Sequence, residues 1–130
     1  MGDLTKNFSR IEFACPCCGN TDVDVDLVTL LQEVRDEVGR SVTINSAVRC
    51  EKHNADVGGV SNSSHVANEE KDCQGVDLAC ESSAERGELL PALCDRFDRI
   101  GIGRRFIHVD IDAHKPQNVV WTYYRVSHVA

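Results

Sequence analysis

Between Cys50 and Cys73 the sequence loses its hydrophobic period, and this gap limits the fold more than any single element beside it. The stretch is rich in Asn, Ser, Gly and charge, with Gly58-Gly59 as a turn signal, so it reads as a mostly irregular segment. Long loops inside compact domains are usually functional or disordered, which makes this segment the first place to look for chemistry. The flanks must then supply the core. From Asp24 to Val38, the residues Leu27, Leu30, Leu31, Val34 and Val38 recur at helical spacing, with acids at the front and Gly39 past the end. Ser41 to Ser46 alternates around Val42 and Ile44, the pattern of a short half-buried strand. Beyond the gap, Gly75 to Cys80 reads as a second strand. Ser82 with Glu85 has capping-box spacing for a helix carrying Leu89, Leu90, Leu93 and Phe97, which Pro91 either kinks or shifts. Arg105 to Ile111 and Val119 to Arg125 read as two further strands, expected to be antiparallel across the loop at Lys115-Pro116. The pattern predicts an α+β fold, a small antiparallel sheet packed against two helices.

A chain of 130 residues fits one domain spanning 1–130, with enough apolar content for one modest core. Its formal net charge of −7 argues against a nucleic-acid partner, since phosphate binding needs clustered Lys and Arg. The longest apolar runs fall far short of the roughly 20 residues that cross a bilayer, so no membrane association is expected. Met1 to Arg10 is polar and lacks the apolar core of a secretory signal, so the chain is expected to be made in the cytoplasm and, if it leaves, to use another route. A monomer is expected.

Three residues stand at places that suit a metal: His65 in the irregular segment, and Asp77 and His108 within predicted strands. Catalytic zinc takes three nitrogen or oxygen ligands and keeps a fourth position for water, a demand that two imidazoles and a carboxylate meet. An isolated His or Asp is more often a surface or hydrogen-bonded residue, and spacing alone does not choose. Asp110 follows His108 by two positions on a predicted strand, so the two side chains share a face. It is a candidate general base for a metal-activated water. Equally, it suits a residue that only orients a ligand imidazole.

The order of motifs is more specific than any one of them. Asn45-Ser46-Ala47-Val48-Arg49, His53-Asn54-Ala55-Asp56-Val57-Gly58-Gly59, Ser63-Ser64-His65, Gly75-Val76-Asp77 and Phe106-Ile107-His108-Val109-Asp110 together resemble the D-Ala-D-Ala carboxypeptidase and L-alanyl-D-glutamate endopeptidase family of zinc peptidases, especially its short phage-type members. The resemblance covers roughly Phe8 to Trp121. It implies a hedgehog/DD-peptidase-like fold, one catalytic Zn2+ on His65, Asp77 and His108, and cleavage of a peptidoglycan stem peptide or cross-bridge at the cell wall, as in phage-encoded lytic or virion-associated enzymes. It also implies that Arg49 contacts a substrate carbonyl or carboxylate, with the chemistry to stabilise an oxyanion, and that Ser63 binds substrate. The plainer readings are a surface salt bridge for Arg49 and a satisfied loop hydroxyl for Ser63. A non-catalytic zinc domain that binds wall peptides or builds a virion is the alternative function.

The chain departs from the family pattern twice. Asp77 follows His65 by 12 positions, further than usual, with Asn68-Glu69-Glu70-Lys71-Asp72 as an apparent insertion. Lengthening a loop modestly costs only about a few tenths of a kcal/mol in closure entropy, so the site survives, with the extra acids expected near the cleft mouth. Where relatives often carry a Glu, Asp or His just before the last ligand, this chain has Arg104, Arg105, Phe106 and Ile107. Trp121 resembles an aromatic of the family's last strand, but a lone Trp is more often core and is assigned there.

Seven cysteines cannot all pair within one chain. Cys15, Cys17 and Cys18 sit beside Pro16 and Gly19 in a tight turn, and with Cys50 they offer four thiolates for a structural zinc. Their spacing does not read as the usual pair of CxxC knuckles, and a disulfide between the turn and Cys50 is the simpler alternative. Cys73, Cys80 and Cys94 read as buried thiols or a second bridge. His53, His114 and His128 read as exposed or structural.

Overall fold

Asp24 accepts the Asp26 N–H through its side chain and opens helix α1, Val25–Val38, whose Leu27, Val28, Leu31 and Val34 are buried. The cap and apolar stripe are those the sequence specifies. In this computed structural model, which describes residues 2–124, the remaining elements are β1 (Ile44–Ser46), α2 (Glu51–Asp56), β2 (Gly75–Ala79), α3 (Ser83–Cys94), β3 (Arg99–Ile102), β4 (Phe106–Asp110) and β5 (Val119–Thr122). A single 3-10 turn, Arg10–Phe13, precedes α1. Arg125, the expected end of the last strand, and His128 lie outside the described residues. None of the described helices is long and apolar enough to cross a membrane.

The five strands form one mixed sheet in the order β1-β2-β4-β3-β5. β2 pairs antiparallel with β1 and β4, and β4 pairs antiparallel with β3. The expected α+β class holds, but the expected antiparallel pairing of the last two strands does not. β5 runs parallel to β3, with Gly101 opposite Trp121, and does not pair with β4. The loop after Asp110 carries the chain past β4 to the far side of β3. β3 is not expected from the sequence, and the helix expected to carry Phe97 stops at Cys94.

Alternation along the strands separates two faces. Val76, Leu78, Ile100, Ile107 and Val109 join Leu27, Leu31, Val34, Leu89 and Leu93 in the buried core, where α1 contacts α3. Residues of the opposite parity, including Gly75, Asp77, Arg99, His108, Asp110 and Trp121, line the other face. Gly101 sits among them because a Cβ there would come within 2.6 Å of Cε2 of Trp121. Only a glycine lets that indole lie across the strand.

α3 begins as expected, with Ser82 Oγ accepting the Glu85 N–H at 3.1 Å, while Glu85 reaches back to the Glu81 N–H rather than to Ser82. Pro91 lies inside the helix without ending it. The segment read as irregular contains α2, capped by the Cys50 sulfur, which accepts the His53 N–H at 3.4 Å.

Candidate metal centre

Asp77 and His108 are direct cross-strand partners in the β2/β4 ladder, so their side chains leave the sheet side by side. His65 arrives from the loop after α2. Its strand-like neighbours are tied down by Arg49 N–H to His65 O at 2.9 Å and Ala67 N–H to Arg49 O at 2.9 Å. His65 Nε2 then lies 3.2 Å, and His108 Nδ1 2.9 Å, from the same oxygen, Asp77 Oδ1. The three donor atoms all fall within 4.8 Å of one another.

The far nitrogen of each ring is anchored. His65 Nδ1–H donates to the Ala47 carbonyl at 2.8 Å, which leaves Nε2 with its lone pair toward the cleft. His108 Nε2–H donates to Asp110 Oδ2 at 2.7 Å, which leaves Nδ1 as its inward-facing donor. Metal-bound histidines characteristically hold their other nitrogen this way, because the bond fixes tautomer and ring orientation. The donor set therefore fits zinc: two imidazole nitrogens, one carboxylate oxygen, and an open side facing a cleft of about 400 Å³. Burial alone would push the Asp77 carboxyl up, but hydrogen bonds from His108 and His65 outweigh it and hold the group well below the usual carboxylate range. Burial lowers His108, and Asp110 and Asp77 more than reverse this, so its imidazole is raised.

Asp110 lies at the base of the cleft with both of its oxygens engaged. Almost wholly buried, it accepts from Arg99 Nε at 2.7 Å, from the Asp112 N–H at 3.1 Å and from Ser64 Oγ at 3.4 Å, as well as from His108. Arg99 in turn donates to the Pro116 carbonyl at 2.6 Å and lies 4.9 Å from the Trp121 ring centroid. A chain of contacts thus runs from β5 through Arg99 and Asp110 to His108.

Arg49 lines the cleft with its guanidinium 3.7 Å from Asp77 Oδ2 and 3.3 Å from Asn54 Oδ1, while its buried Nε has no hydrogen-bond partner among the described residues. Ser63 Oγ accepts the His65 N–H at 3.2 Å. The acids of the Asn68–Asp72 stretch do not line this cleft. Asn68 Oδ1 collects the Glu70 and Lys71 N–H groups into a tight turn, Lys71 Nζ donates to the Ser63 carbonyl at 3.0 Å, and Glu70 lines a neighbouring depression.

Four cleft residues escaped the sequence reading. Trp121, assigned there to the core, is half-buried on β5, with its ring centroid 5.7 Å from that of His108, and Tyr123 stands beside it. Arg99 draws no attention in the sequence, and Ser64 stands out only as part of the Ser63-Ser64-His65 motif. The missed signal was strand alternation: Arg99, Gly101 and then Trp121, Tyr123 each recur at every second position.

The family model described as Peptidase M15 matches residues 6–110 of the chain. That range contains Arg49, His65, Asp77, His108 and Asp110 and stops short of β5. No curated protein matches the chain.

Proposed function

The chain belongs to the peptidase M15 family, and from that premise we propose that it is a zinc-dependent peptidase hydrolysing a peptide bond in the stem or cross-bridge of bacterial peptidoglycan. It would act at the cell wall, in the manner of phage-type lytic enzymes. One observation carries this reading: the donor atoms of His65, Asp77 and His108 lie within 4.8 Å of one another at the floor of an open cleft.

Zinc held by these three side chains would bring a water of near-neutral pKa and a Lewis acid for the scissile carbonyl. The protein's own groups do the rest. Arg49, with donors facing the cleft, suits a carbonyl oxygen that gains negative charge, where a guanidinium forms strong charge-assisted bonds. Ser63 already accepts a bond from the His65 N–H and so keeps its own O–H free to donate to a substrate amide. Trp121 and Tyr123 form an aromatic wall against which the flat peptide unit rests. Asp110 is a positioning residue, because its nearer oxygen is spent on the far nitrogen of His108 and its other oxygen on Arg99.

A second reading, a zinc domain that binds wall peptides without cleaving them, is favoured by one feature. Among the described residues lining the cleft, the carboxylates are Asp77 and Asp110, and both are engaged. Incubation of the purified full chain with peptidoglycan and a stem-peptide mimic separates the two. The peptidase reading expects new termini to appear, to vanish with a chelator, to return with zinc, and to be absent in His65→Ala. Metal bound at this site with no turnover on either substrate would overturn it in favour of the binding domain.

A further inference from the structure

On the opposite flank of the Arg49 segment, three sulfurs converge that the peptidase chemistry does not use. The Sγ atoms of Cys15, Cys18 and Cys50 all lie within 4.8 Å of one another. Cys15 and Cys18 are spaced as a C-x-x-C pair within Cys15-Pro16-Cys17-Cys18-Gly19, and the chain closes there into a knuckle. The Cys15 N–H donates to the Asn20 carbonyl at 2.8 Å and the Gly19 N–H to the Cys15 carbonyl at 2.8 Å. One C-x-x-C turn thus meets a third thiol, Cys50, from a distant segment.

Backbone N–H groups already point at two of these sulfurs. Cys15 Sγ accepts the Cys50 N–H at 3.5 Å and further bonds from the Cys17 and Cys18 amides, and Cys50 Sγ accepts the His53 N–H at 3.4 Å. The Cys17 thiol stands beside that of Cys50. In a tetrahedral site with Zn–S of about 2.3 Å the sulfurs stand about 3.8 Å apart, which this cluster reaches by a small contraction. A disulfide would use two of the converging sulfurs and leave the third, with its N–H donors, unexplained.

We propose that Cys15, Cys18 and Cys50 bind a second zinc that fastens the N-terminal knuckle to the segment carrying Arg49, with the exposed Cys17 beside Cys50 as the nearest thiol to close the fourth position. Val48 already bonds back to Phe13, N–H to O at 3.0 Å, so the metal would lock a junction that the backbone has begun. Its role is to hold Arg49 in register with Asp77, and it takes no part in bond cleavage.

Metal analysis and cobalt substitution of the full chain test this independently of the peptidase reading. Purified under reducing conditions, the wild type is expected to hold two equivalents of zinc. Cobalt exchange should produce thiolate-to-cobalt charge-transfer bands in the near ultraviolet, which a site of imidazole and carboxylate cannot give. His65→Ala should keep those bands and lose the other equivalent, whereas Cys50→Ser and Cys18→Ser should lose the bands and keep the other equivalent. The exposed Cys94 changed to Ser should keep both. Absence of the bands in wild type, or their survival in Cys50→Ser, would overturn the proposal. Should the cysteine variants fail to fold, the wild-type cobalt spectrum decides alone.

Discussion

Replacing Asp110 with Asn separates orientation from proton transfer more sharply than any other substitution in the cleft. The carboxylate sits between two donors, His108 Nε2 at 2.7 Å and Arg99 Nε at 2.7 Å, and its Asp112 N–H contact at 3.1 Å falls on the Arg99 side. An Asn must place its oxygen toward the guanidinium and the backbone N–H, so its NH2 confronts His108 Nε2. The imidazole then relieves the clash by moving its proton to Nδ1, the atom that faces Asp77 Oδ1 and the metal position. A ring in the wrong tautomer cannot ligate through that atom. Loss of such a supporting partner weakens metal affinity by about 10–100-fold, or about 1.4–2.7 kcal/mol. Zinc competition against a calibrated chelator measures this directly. Asn is preferable to Ala here, since leaving the buried Arg99 unpaired would cost about 3–5 kcal/mol and confuse binding with unfolding. Unchanged zinc affinity in a folded Asp110→Asn that has lost turnover would refute the argument and make Asp110 the proton acceptor.

Other outcomes follow from the same geometry. Arg49→Ala should lower kcat by about 100–1,000-fold on a wall-peptide substrate if its guanidinium meets the oxyanion, with zinc content unchanged; a change confined to KM would reassign it to ground-state binding. Gly75→Ala would drive a methyl into Ser64 and to within 3.0 Å of His108 Cε1, so a loss of about 1–3 kcal/mol in denaturant unfolding is expected, with weaker zinc binding. Burial pushes the Cys73 thiol up to about 12, so alkylation at mildly alkaline pH should spare it in the folded chain while labelling exposed Cys94. Because the folded value lies above the unfolded one near 9.0, the stability from keeping this thiol neutral is complete below that pH and drains away as pH rises toward 12. Cys73→Ala should flatten that alkaline decline in a pH series of unfolding midpoints.

How much of this was legible in the sequence depended on whether a signal was local. α1 announced itself through its Asp24 cap and its apolar stripe, and β2 and β4 through short runs of Val, Leu and Ile. The His65, Asp77 and His108 trio could be named from the order of motifs, while its convergence depends on strand pairing that no local pattern encodes. α2 stayed hidden because only Asn54 of its residues is buried, so it has no apolar period to see. β3 stayed hidden because Arg99 and Gly101 break its run of apolar residues, and both are there for the cleft rather than for the strand. The parallel seat of β5 depends on where the loop after Asp110 travels, and that is a property of the assembled sheet. Asp110 shows the same limit at one residue. Strand alternation put it on the face of His108, yet only the position of Arg99 tells which way its carboxylate is pulled.

β4, which carries His108, is the middle strand of the sheet, flanked on both sides by paired neighbours. Middle strands are the last parts of a domain to open and show the slowest amide exchange. Two of the three candidate ligands, Asp77 and His108, are consequently seated in the stiffest part of the molecule, and their spacing should stand whether or not an ion is bound. A chain built this way would be expected to stay folded through a spell of metal scarcity and to take the ion up again without refolding.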